Sequence, residues 1–85
     1  MKKTIGRVIE VYIPEQYKNG NLVDVMDRTL IGFKVMTQDG IKIVETEQNE
    51  ETAAIMKKDI VEIIEQTISN VDFVDIRLYG GDING

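Results

Sequence analysis

The sequence predicts a mainly β domain: a small five-stranded antiparallel barrel with one short helix between the third and fourth strands. Three observations carry that reading. Asp39-Gly40 separates two stretches rich in apolar residues, Leu30 to Gln38 and Ile41 to Gln48, as the turn of a β-hairpin does. Ile60 to Ile68 is dense in β-branched residues, whose restricted χ1 lowers helix propensity and suits a pleated surface. With Ser69-Asn70 as a two-residue turn, that stretch also matches the next one: Val61 falls opposite Leu78, Ile63 opposite Ile76, Ile60 opposite Tyr79 and Glu62 opposite Arg77.

A chain of 85 residues closes one small core, so a single domain over 1–81 is expected, with 82–85 as a frayed tail beyond Gly80-Gly81. Cysteine and histidine are both absent. That removes disulfides and thiolate zinc sites, along with the commonest general base and transition-metal ligand. Neither a cofactor nor an enzymatic activity is expected. Lys2 and Lys3 open the chain like a signal peptide, but Arg7 and Glu10 break the apolar run that would have to follow. No stretch approaches the roughly 18 apolar residues of a membrane helix, so no membrane partner and a cytoplasmic location are expected. The net charge of −5 is unevenly spread: residues 47–85 carry three cations against nine acids, and residues 1–46 carry seven against six. The negative sign opposes the one usual in nucleic-acid binders.

Taken in order, Thr4 to Ile13 is a strand. Ile5, Ile9, Val11 and Ile13 point one way and Gly6, Val8, Glu10 and Tyr12 the other, and Pro14 ends it by removing a backbone donor. Residues 15–29 form a loop, long for so small a domain, around the turn cluster Lys18-Asn19-Gly20-Asn21. It either forms a short extra strand near Leu22 to Val25 or has a binding role. A type I′ turn at Asp39-Gly40 sets Val35 opposite Val44, Phe33 opposite Thr46, Met36 opposite Ile43 and Lys34 opposite Glu45.

Asn49 caps a short helix whose first turn holds Glu50 and Glu51 and whose end near Lys57 and Lys58 suits the macrodipole. The alternative is one long amphipathic helix over 49–68, with Ala53, Met56, Ile60, Ile63, Ile64 and Ile68 on one side. It would cover a four-stranded antiparallel sheet, an α+β domain. Either way Phe33, Val35, Val44, Val74, Ile76 and Leu78 belong to the core. The favoured order of strand, loop, hairpin, helix and hairpin resembles small barrels of the oligonucleotide/oligosaccharide-binding (OB) type, at the level of fold alone.

No catalytic or metal motif stands out. Glu50 with Glu51, or Glu62 with Glu65, could in principle work as paired carboxylates, but nothing in the sequence builds the pocket that would separate their pKa values. Gly80-Gly81 lacks the lysine and the strand-to-helix setting of a phosphate loop, and Asp82-Ile83-Asn84-Gly85 stops short of a calcium loop.

What remains is a sheet face shared by Tyr12, Lys34, Met36, Phe73, Arg77 and Tyr79. Aromatics, Met and Arg are enriched where proteins meet. The expected function is therefore a non-enzymatic interaction module that binds a protein partner, or itself, through this face. A barrel that stacks and holds single-stranded nucleic acid on the same residues is the alternative, and the acidic balance ranks it second.

Overall fold

The computed structural model describes residues 1–80, so the expected tail at 82–85 and the domain boundary at 81 lie outside the described residues. Among the described residues the strands are β1 (Lys2–Tyr12), β2 (Tyr17–Lys18), β3 (Asn21–Leu22), β4 (Leu30–Thr37), β5 (Gly40–Glu47), β6 (Ile60–Ile68) and β7 (Val71–Leu78), and the one α-helix, α1, is Glu50–Ala53. All pairings are antiparallel. Five strands form one sheet in the order β5-β4-β1-β6-β7, and β2 and β3 form a separate small hairpin.

The sheet is open, which corrects the expected OB-like barrel. Closure needs β5 to pair with β7, and the two remain the unpaired edges of the sheet. Two features oppose the last ladder. The Ile76 amide on β7 is bonded to the Asp75 carboxylate at 2.9 Å. The β6–β7 hairpin also outruns β1, whose last pair with β6 is Lys2 with Glu65, so residues 66–74 project as an exposed arm. The long-helix alternative is overturned as well, because α1 spans only Glu50–Ala53 and Ile60–Ile68 is extended. Asn49 and Thr52 form a reciprocal capping box, and the helix stops well before the expected end near Lys58.

The second hairpin has the expected register. Ser69 and Asn70 adopt φ of 52° and 65°, the left-handed pair of a type I′ turn, and Val61, Glu62 and Ile63 meet Leu78, Arg77 and Ile76. The first hairpin does not. Its turn is Gln38-Asp39, with Gly40 at φ 104°, and Phe33 meets Val44, Lys34 meets Ile43 and Val35 meets Lys42. Thr37 moves the turn one residue earlier: its hydroxyl accepts from the Asp39 amide (3.1 Å) and donates to the Gly40 carbonyl (2.8 Å). The pairing shifts by two residues, which preserves the faces.

The core gathers Val8, Ile31, Phe33, Val35, Val44, Ile55, Val61, Ile63 and Ile76. Four of the expected core residues are there. Val74 and Leu78 are instead 43% and 45% exposed, because β7 is an edge. In β1 a bulge between Val8 and Glu10 breaks the simple alternation, burying Val8 and leaving Ile5 and Ile13 exposed. The 15–29 segment contains the β2–β3 hairpin and a 3₁₀ turn at Val25–Asp27 in place of a single extra strand. Gln16 anchors it, its side-chain carbonyl accepting from the amides of Thr29 (2.7 Å) and Leu30 (3.0 Å).

Candidate functional site

Strand alternation assigns all six candidate residues to the sheet face that looks away from the core. One row crosses five strands: Ile41 pairs with Met36, Met36 with Arg7, Arg7 with Ile60, and the Tyr79 amide bonds to the Ile60 carbonyl at 2.9 Å. The neighbouring row on one side holds Ile43, Lys34 and Glu10, and on the other Ile5, Glu62 and Arg77. Met36 and Lys34 are therefore brought together, as are Arg77 and Tyr79. Phe73 lies six residues along β7 from Tyr79, about 20 Å at about 3.3 Å per residue. Tyr12 lies in the row beyond Lys34, at the opposite end of the sheet. One contiguous aromatic platform does not form.

Each end of the face has its own local structure. The Tyr12 ring lies over Gly32, where any Cβ would collide with it, and its hydroxyl donates to Glu45 Oε2 at 2.7 Å. Burial first, then the bond to the Glu45 carboxylate and its charge, push the Tyr12 phenol up to about 12. Such a ring is held in place and has little freedom to stack on a ligand. Phe73 remains 48% exposed on the projecting arm, near Ile68 and Val71 on the same face.

Two of the three cations in these rows are engaged: Lys34 Nζ lies 3.5 Å from Glu10, and Arg77 Nη2 lies 2.8 Å from Glu62, while Arg7 in the middle row is exposed and forms no ion pair among the described residues. On the core side of the sheet Lys42 reaches from β5 to Glu65 on β6, and this bond holds the Glu65 carboxyl below its ordinary range.

The carboxylate pairs considered as catalysts do not form sites. Glu62 and Glu65 stand on opposite faces of β6, and Glu50 and Glu51 are exposed on α1. Among the described residues, no group of three or more acidic, His or Cys side chains could hold a metal ion, and no helix is long and apolar enough to cross a membrane.

Two exposed apolar groups were not among the candidate residues. Ile41 and Ile43 stand beside Met36 and Lys34, 55% and 61% exposed, and strand alternation, with Ile43 set opposite Met36, was the signal that would have added them. Tyr17, Leu22, Val25 and Met26 crowd the 15–29 segment, where the interrupted polar pattern was the only hint. In comparisons with protein-family models, curated proteins and solved structures, nothing matches this chain.

Proposed function

We propose that the protein is a non-enzymatic cytoplasmic interaction module that engages a protein partner, or another copy of itself, through the outer sheet face. The observation that carries the reading is the cluster of Ile5, Met36, Ile41 and Ile43, each about half exposed on adjoining strands and flanked by ion-paired Lys34 and Arg77. Apolar groups gathered in this way lose unfavourable contact with water when a second surface covers them. Charges neutralised in advance add little desolvation cost at the rim of such a contact. The single-strand-binding alternative needs free cations beside open aromatic rings. Lys34 and Arg77 are ion-paired with carboxylates and Tyr12 is held over Gly32, which leaves Arg7 as the one unpaired cation of these rows among the described residues.

The test compares the wild-type chain with Met36→Asp and Ile43→Asp, both at exposed positions where folding survives. Light scattering over a wide concentration range and affinity purification from the source cells are the readouts. The reading expects self-association or a reproducible protein partner that both variants lose. A strict monomer with no partner, or a partner retained by both folded variants, would contradict it. Salt-sensitive binding to an oligonucleotide, lost on Arg77→Ala, would favour the alternative.

A further inference from the structure

The apolar residues of the outer face fall on a line. Ile43 pairs with Lys34, and Met36 is two residues further along that strand; Met36 pairs with Arg7, and Ile5 is two residues further along the next. The same step then repeats in the same direction. Ile5 pairs with Glu62, two residues from Ile64, and Ile64 pairs with Asp75, two residues from Phe73. Ile43, Met36, Ile5, Ile64 and Phe73 therefore form a diagonal stripe across all five strands. Four of them are 46% to 61% exposed, and Ile64 is covered to 9% without belonging to the core on the opposite side.

The direction of the stripe selects the element that can cover it. Each step crosses one strand, about 4.8 Å, and moves two residues along, about 6.6 Å, so the stripe runs about 36° from the strands for about 33 Å. A docked strand needs free backbone groups beside it, and those of β4, β1 and β6 are committed to neighbours on both sides. A helix satisfies its own backbone and needs only an apolar side to lay on the stripe. About 22 residues at about 1.5 Å each match its length.

Charge specifies the flanks of that helix. Ile5 sits between Lys3 and Arg7, both exposed on the same face, one on each side of the stripe, and neither forms an ion pair among the described residues. The nearby carboxylates are already occupied: Glu10 holds Lys34, Glu62 holds Arg77, and Asp75 accepts from the Ile76 amide. A chain of net charge −5 thus keeps two unpaired cations at the middle of its exposed apolar stripe. They complement carboxylates on a partner.

We propose that the stripe seats an amphipathic α-helix of another protein, apolar where it meets Ile43, Met36, Ile5 and Phe73 and bearing carboxylates on both flanks for Lys3 and Arg7. This rests on reading the outer face as the contact surface and gives its partner a chemistry. A second copy of the chain does not supply such a helix, because α1, the one α-helix among the described residues, has four residues.

The experiment selects helical peptides of about 22 residues from a displayed library on the immobilised full chain, then measures the affinity of the selected peptides by fluorescence anisotropy. Acidic residues on both flanks of an apolar side should dominate the selection. Lys3→Glu with Arg7→Glu changes two exposed positions, and circular dichroism establishes that the variant is folded. It should bind those peptides roughly 25-fold more weakly, about fivefold for each reversed cation. Affinity should return when the flanking acids of the peptide are replaced by lysine. A proline at the centre of a selected peptide breaks the helix and should abolish binding.

No selected helix, binders without acidic flanks, or binders indifferent to the double variant overturn the proposal. A single-stranded oligothymidylate bound instead, and lost on the same variant, also overturns it and makes the face a nucleic-acid surface. The two readings fail separately. A cellular partner lost on Met36→Asp but held equally by the folded double variant keeps the outer-face function and removes the acidic helix.

Discussion

Replacing Ile63 and Ile68 one at a time by alanine separates the extended structure of Ile60–Ile68 from the helix its apolar periodicity also fits. On a helix both side chains lie on the buried side. In β6, Ile63 is 0% exposed and paired with Ile76, whereas Ile68 is 54% exposed at the tip of the arm. Ile63→Ala removes three carbons, about 2.4 kcal/mol of transfer free energy at about 0.8 per methylene. The cavity left between β6 and β7 raises the loss to about 3–4 kcal/mol. Ile68→Ala gives up strand propensity on an open surface and costs at most about 1 kcal/mol. Urea unfolding followed by circular dichroism reads the difference. With an m-value of roughly 1 kcal/mol/M for a domain this small, Ile63→Ala lowers the midpoint by about 3 M and Ile68→Ala by less than about 1 M. Equal losses at the two positions would refute the strand assignment and the arm with it.

Tyr12 ionises late because its burial and its bond to Glu45 favour the protonated phenol, so its pKa of about 12 in the folded chain stands above the ordinary 10.0. The folded state then holds the proton more tightly than the unfolded chain, and the stability this confers is complete below pH 10 and lost as pH rises toward 12. Tyr12→Phe should flatten that alkaline limb in melts across the interval. Gly32→Val drives a side chain into the Tyr12 ring and should cost about 1–3 kcal/mol. In a double-mutant cycle with Tyr12→Ala most of that loss should vanish, because the obstacle is gone. At the β6–β7 turn, Ser69→Asn with Asn70→Gly installs a pair suited to the left-handed angles of 52° and 65°, and should stabilise the chain by about 0.5–1 kcal/mol in the same urea assay.

The β6–β7 pairing was legible because two independent signals agree in one register. Glu62 faces Arg77, and Ile63 faces Ile76. Ser69-Asn70 lacks the glycine usual in such turns, yet both residues take the required conformation. In the β4–β5 hairpin Asp39-Gly40 pointed to a turn but not to its register, which depends on two hydrogen bonds of the Thr37 hydroxyl, one accepted from the Asp39 amide and one donated to the Gly40 carbonyl. The faces survived that error because a shift of two residues keeps Phe33, Val35 and Val44 inside.

Closure of the sheet was not legible. It depends on where β1 ends along β6 and on the bond that the Ile76 amide donates to the Asp75 carboxylate, neither of which leaves a periodic trace. The same limit applies to the candidate face. Alternation assigns Tyr12, Lys34, Met36, Phe73, Arg77 and Tyr79 to one side, but proximity requires the strand order and the offset of each strand, and these set Tyr12 and Phe73 at opposite ends.

The central claim is that the sheet stops at β7 with alternate backbone groups of that strand unpaired. Residue-resolved amide hydrogen exchange in dilute protein tests it most directly. The amides of Asp75 and Arg77, which face β6, should be protected, while those of Val74 and Leu78 exchange at rates close to those of an unstructured chain. Protection of Val74 and Leu78 equal to that of Asp75 and Arg77, persisting on dilution, would mean that another strand of the same chain covers the edge, and the open sheet would be wrong.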